Sequence, residues 1–148
     1  MRLKHLKSAA NIDFFSADLS GAESLPMVEG ISAGFPSPAE EYTELSIDLN
    51  KELIRHPSST FYGRVRGNSM IDAGINDGDI LIIDKSLEPR NGQKAVCFIN
   101  GEFTIKTLKI ENKKLWMVPA NVSFKPIEVT PDNEFIVWGI VTYVIHKV

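Results

Sequence analysis

The sequence predicts a mostly β protein: a compact antiparallel β-domain with short helices on its N-terminal side and a flexible N-terminal arm. Three observations carry that expectation. First, many short runs rich in β-branched and aromatic residues follow residue 58, with little helical periodicity among them. Second, Asn100 and Gly101 stand between two such runs, and an Asn-Gly pair there is the preferred two-residue hairpin turn because both residues tolerate positive φ. Third, 148 residues of which 43% are hydrophobic can bury one ordinary core but not two, leaving one domain plus an arm.

Residues 1–33 show no sustained period of either kind. Phe14, Phe15, Leu19, Leu25 and Met27 are too scattered for a long amphipathic helix, and Gly21, Pro26 and Gly30 interrupt one. This is the expected arm, with enough apolar groups to dock. Residues 31–36 have small residues at the centre and a proline after them, which favours an extended or turning backbone. A peptidase cleft takes a backbone of that kind. Ser37, Pro38 and Glu40 read as a helix start: N-cap, first helical position and capping-box partner. Asp48 caps a second short helix through Leu49, Leu53 and Ile54, which Pro57 ends.

Strands follow. The expected segments are 60–66, 79–84 around Ile80-Leu81-Ile82-Ile83, 94–99, 102–110 after the Asn-Gly turn, 115–118 after a turn at Asn112 and Lys113, and a long final strand over 135–144. Asp77 and Gly78 form a further turn.

Composition narrows the function classes. A net charge of -3, a pI near 5.6 and no basic stripe argue against a general nucleic-acid binder and give no sign of direct sequence-specific DNA binding. The single cysteine, Cys97, cannot form an internal disulfide or a cysteine-cluster zinc site, which fits a reducing cytoplasm and a small core residue. Basic residues Arg2, Lys4 and Lys7 are not followed by a continuous apolar segment, and the apolar run over 135–145 is too short to span a bilayer, so no membrane association is expected.

The chemistry centres on Ser69, which stands between a strand-like run and a turn-rich segment. A serine hydroxyl is a weak nucleophile until a base takes its proton, and Lys106 is the candidate base. Along its strand Phe103 and Ile105 share one face, while Thr104, Lys106 and Leu108 share the other. On an apolar face desolvation disfavours the ammonium and makes Lys106 a usable base. Backbone N–H groups near Asn68 and Met70 would then supply the oxyanion donors. Residue types alone favour a second picture, in which Ser69 caps a turn and Lys106 is a solvated strand lysine.

The local sequence around both residues separates these pictures. Gly67-Asn68-Ser69-Met70, then 74–79 (Gly-Ile-Asn-Asp-Gly-Asp), then 101–106 (Gly-Glu-Phe-Thr-Ile-Lys) resemble the self-cleaving Ser/Lys-dyad domain of the LexA/UmuD family, the S24-like peptidases. The likeness extends through 35–39, 47–50, 56–58 and 119–121, covers about residues 34–148, and is nearest to the UmuD branch. It implies the LexA C-terminal/UmuD type of β fold, Ser69 as nucleophile, Lys106 as general base, and self-cleavage between Ala33 and Gly34. It further implies a homodimer, stimulation by RecA filaments on single-stranded DNA, and a shortened product that joins a UmuC-type Y-family error-prone polymerase in SOS mutagenesis and translesion synthesis. No metal or cofactor is implied. The UmuD branch usually carries Cys-Gly at the scissile bond, whereas Ala33-Gly34 is the pair usual in LexA-type repressors. Residues 1–33 are too short and irregular for a repressor's winged helix-turn-helix, so a repressor fragment without a DNA-binding domain is the lesser alternative.

Other signals are weaker. The Ser69 segment lacks the second glycine of a nucleophile elbow, and no Ser-x-x-Lys occurs. His5, His56 and His146 have no local support as triad members, and His56 beside Pro57 reads as a helix-end residue. Asp72, Asn76, Asp77 and Asp79 resemble part of a calcium loop, but Gly74 falls where a ligand is needed and no glutamate closes it. A signal peptidase shares the Ser/Lys chemistry but needs a membrane anchor. The main competitor is a non-catalytic dimeric polymerase-accessory module, which replacing Ser69 with alanine would distinguish.

Overall fold

The computed structural model describes residues 2–8, 12–18, 24–27, 45–67, 74–118, 125–132 and 135–148. It is mostly β. In chain order the elements are β1 (Arg2–Ser8), β2 (Ile12–Asp18), β3 (Ser24–Met27), β4 (Leu45–Asp48), α1 (Leu49–Leu53), a 3-10 turn (Pro57–Ser59), β5 (Thr60–Val65), β6 (Ile80–Asp84), β7 (Lys94–Ile99), β8 (Glu102–Glu111), β9 (Lys114–Val118), β10 (Ile127–Glu128) and β11 (Phe135–Ile145). Nine strands form one antiparallel sheet in the order β1-β2-β5-β6-β11-β7-β8-β9-β10, and β3 pairs with β4 separately.

The central strands explain their own sequences. β6 is flanked by β5 and β11 at its edges and packed on both faces, so its apolar run need not alternate. Leu81 and Ile83 enter one apolar cluster while Ile82 enters another. β7 behaves likewise, with Val96 on one side and Ala95 and Cys97 on the other. The turn after β7 has φ of 48° at Asn100 and 85° at Gly101, the geometry the Asn-Gly pair favours. Asn112 and Lys113 also adopt positive φ, at 51° and 62°. Asp48 caps α1 as its sequence implies, accepting from Asn50 N–H at 3.0 Å. The helix start expected at Ser37 lies outside the described residues.

The sheet curls. β2 and β8 are five strands apart in the sheet order, which in a flat sheet would separate them by about 24 Å. Yet the Phe14 ring of β2 lies 4.9 Å from Phe103 of β8, and 4.8 Å from Trp138 of β11. The enclosed face carries the largest cluster: Ile12, Phe14, Val65, Ile75, Leu81, Ile83, Val96 and Ile105.

Within the expected arm, the described stretches 2–8, 12–18 and 24–27 are strands, which the sequence pattern did not announce. β1 pairs with β2, and β2 pairs with β5 from Ile12 opposite Val65 to Ser16 opposite Phe61. Ile12 and Phe14 are 0% and 2% exposed. Their period-two spacing is brief, and Phe15 hides it by packing on the other face against the cluster of Ile54, Tyr62 and Ile82. Only a partner edge turns so short a signal into a strand.

Candidate active site

The loop that bears Ser69 leaves the end of β5 and returns before β6. Its base is tied by three hydrogen bonds. Val65 N–H donates to Asp79 O at 2.9 Å, Gly78 N–H donates to Val65 O at 2.8 Å, and Gly67 N–H donates to Asp77 Oδ1 at 2.7 Å. Gly67 at φ 84° and Gly78 at φ 86° supply left-handed backbone on either side, which side chains rarely adopt. Ile75, 1% exposed, anchors the returning segment in the main cluster. Asn68, Ser69 and Met70 themselves lie outside the described residues, as do Ala33 and Gly34.

Buried Asp79 adds a second tie. Its Oδ2 accepts from Asn76 N–H at 2.8 Å, and its Oδ1 lies 2.6 Å from His146 Nδ1, beyond the end of β11. Asp77 and Asp79, weighed above as calcium ligands, therefore spend their carboxylates on the chain itself, and Asp77-Gly78 is the turn expected there.

Lys106 sits midway along β8, opposite Ala95 of β7. Its face is an apolar one: Ala95, Cys97, Leu108 and Ile140 form a buried cluster there, and Lys106 is half-buried beside them. Burial pushes the Cys97 thiol up to about 12, opposed by the Lys106 charge and backbone, so the lysine's field reaches this interior. Cys97 is thus a core residue with little thiolate character. The other side of β8 joins the lysine strand to the serine loop, because Ile105 and Val65 belong to one cluster.

A third constellation was not legible in the sequence. Asp84, at the end of β6, is buried and lies 2.6 Å from His56 Nδ1. It also accepts from Ser59 Oγ at 3.2 Å, Ser86 Oγ at 2.6 Å and Ser86 N–H at 2.8 Å. Burial pushes its carboxyl up, but the hydrogen bonds from Ser86, His56 and Ser59 outweigh that and hold it below the ordinary value. His56 is not the helix end expected of it: α1 stops at Leu53 with Ile54 as its C-cap, and His56 instead precedes the 3-10 turn, its carbonyl accepting from Thr60 Oγ1 at 2.7 Å and from Ser59 Oγ at 3.3 Å. The register Thr60–Asp84–Ile140–Ala95–Lys106 puts these side chains in one row on one face of the sheet.

Both strands of the candidate site, the serine loop and the lysine lie within residues 26–142, which match the family model described as Peptidase S24-like. The chain belongs to the peptidase S24-like family. Curated relatives agree in extent. This S24-like chain is 42% identical over 135 residues to Protein MucA of Salmonella typhimurium, covering 89% of the chain and 92% of the relative. Protein ImpA of Shigella flexneri is 38% identical over 134 residues, covering 88% and 91%. LexA repressor 1 of Pseudomonas syringae pv. tomato is 40% identical over 125 residues, covering 84% of this chain but 61% of the repressor. Membership of the S24-like family supports a serine peptidase activity. Among the described residues no helix is long and apolar enough to cross a membrane.

Proposed function

We propose that the chain is a self-cleaving serine peptidase of the SOS response, with Ser69 as nucleophile, Lys106 as general base and the bond between Ala33 and Gly34 as substrate. The observation that carries this reading is the match of residues 26–142, which hold Ser69 and Lys106, to the peptidase S24-like family; the hydrogen-bonded base of the serine loop and the half-buried Lys106 are compatible with it. In the reaction, the neutral Lys106 amine takes the Ser69 Oγ proton as Oγ attacks the Ala33 carbonyl carbon. N–H groups at Asn68 to Met70 serve the developing oxyanion. The lysine then passes the proton to the Gly34 nitrogen as that bond breaks, and water hydrolyses the Ser69 ester. Because substrate and site share a chain, the rate depends on how often the scissile segment occupies the cleft.

The family resemblance supports the wider role: a homodimer in the cytoplasm, stimulated by RecA filaments on single-stranded DNA, whose shortened form joins a UmuC-type polymerase for translesion synthesis. The test is intact mass of the purified protein at about pH 10, where a free lysine approaches deprotonation, beside Ser69→Ala and Lys106→Ala. A fragment beginning at Gly34 in the wild type alone is the expected result. A wild-type chain that stays whole even with activated RecA would return it to the class of binding modules.

A further inference from the structure

Cleavage of a peptide bond separates two pieces only if nothing else holds them. Residues N-terminal to Gly34 are held in three ways. β2 lies inside the sheet between β1 and β5, with a five-residue ladder from Ile12 opposite Val65 to Ser16 opposite Phe61. Ile12 and Phe14 are buried in the main cluster, and the Phe14 ring packs at 4.9 Å on Phe103 of the strand that carries Lys106. Asp13 Oδ1 lies 3.0 Å from Arg66 Nη2. The bond itself falls, in sequence, between β3 and β4, which pair from Ser24 opposite Asp48 to Met27 opposite Leu45. It is therefore cut between two strands that are bonded to each other.

We propose that residues 1–33 stay bound after cleavage as a strand-complementing fragment, and that losing them takes a second event, the displacement of β2 from the edge of β5. The proposal rests on cleavage between Ala33 and Gly34. A strand that replaces β2 must offer what β2 offers: extended backbone for the β5 edge and two apolar side chains at alternate positions for the space beside Phe103 and Trp138. Cutting alone leaves that edge covered.

The test makes the cut without the chain's own chemistry. A site-specific protease sequence is placed between Met27 and Leu45 of the full-length Ser69→Ala protein, and the cut product is run on a sizing column with mass spectrometry of each fraction. The expected result is one peak holding both fragments at a one-to-one ratio. Isotope-labelled peptide 1–33 added to that product should exchange in slowly, and amides of Ile12 to Ser16 should be protected in the uncut chain. Phe14→Ala, with Phe14→Asp as the stronger variant, should lose the small fragment from the peak while uncut controls keep wild-type circular dichroism. If the wild-type fragment separates while the remainder stays folded, or if the Ile12 to Ser16 amides exchange freely in the uncut chain, the proposal is overturned. Since an added protease makes the nick, failure of self-cleavage would leave this result readable.

Discussion

Gly67 N–H donates to Asp77 Oδ1 at 2.7 Å, the one side-chain bond among the three that tie the outgoing side of the serine loop to the returning side. The carboxylate acts only through the backbone it holds, so Asp77 is a positioning residue. Asp77→Ala should slow self-cleavage by about tenfold or more, because small displacements of a nucleophile cost much in rate. Asp77→Asn retains an acceptor oxygen and should recover most of that loss. Melting temperature should move little in either variant, and a time course of fragment release checks the difference.

Lys106→Arg separates a base from a charge. Arginine keeps the cation on the apolar face of β8 but does not give up its proton near neutral or moderately alkaline pH. Cleavage should fall by about a hundredfold or more, and an active Lys106→Arg protein would remove Lys106 from the mechanism.

Asp84 links the fold to acidity. Its carboxyl is held below the ordinary value in the folded chain, through the Ser86, His56 and Ser59 bonds that outweigh burial. The folded state thus favours the ionised form, and the resulting stability is present above the unfolded value, about pH 4. It is lost as pH falls through the lower, folded value. Thermal melts at stepped pH should show the wild type losing stability in that acid window. Asp84→Asn should be less stable by about 1–3 kcal/mol at neutral pH and should lack that part of the acid loss.

Gly139 sits at a register shift where β11 pairs with β7. A methyl group added there would meet Ile83 Cγ2 at 2.6 Å and the Asp84 carbonyl at 3.5 Å. Ile83 is fully buried, so neither it nor the backbone behind it has room to give. Gly139→Ala should cost about 1–3 kcal/mol in chemical denaturation.

Much of the fold was legible because local chemistry and global position agree. β7 and β8 fall where the Asn100-Gly101 turn and the flanking apolar runs put them, and α1 begins at its aspartate cap. β1 to β4 and the two-residue β10 were not legible, since their strand character comes from partner edges rather than from long alternation. At the candidate site, alternation separated Lys106 from Ile105 but could not say which side packs. Both do, in different clusters. The contact between His56 and Asp84 joins residues 28 apart in sequence, and no local pattern encodes it.

The hairpin at Asn100 and Gly101 also acts as a ruler. Pairing repeats every two residues, and Lys106 stands opposite Ala95 because the chain reverses over those two positions and no others. One residue gained or lost in the turn, with β7 held in place by its neighbours, would rotate β8 by half a period. Lys106 would then point where Ile105 now packs, into the interior that Val65 and Phe14 share. The lysine itself is written at residue 106, but its direction is written at residues 100 and 101.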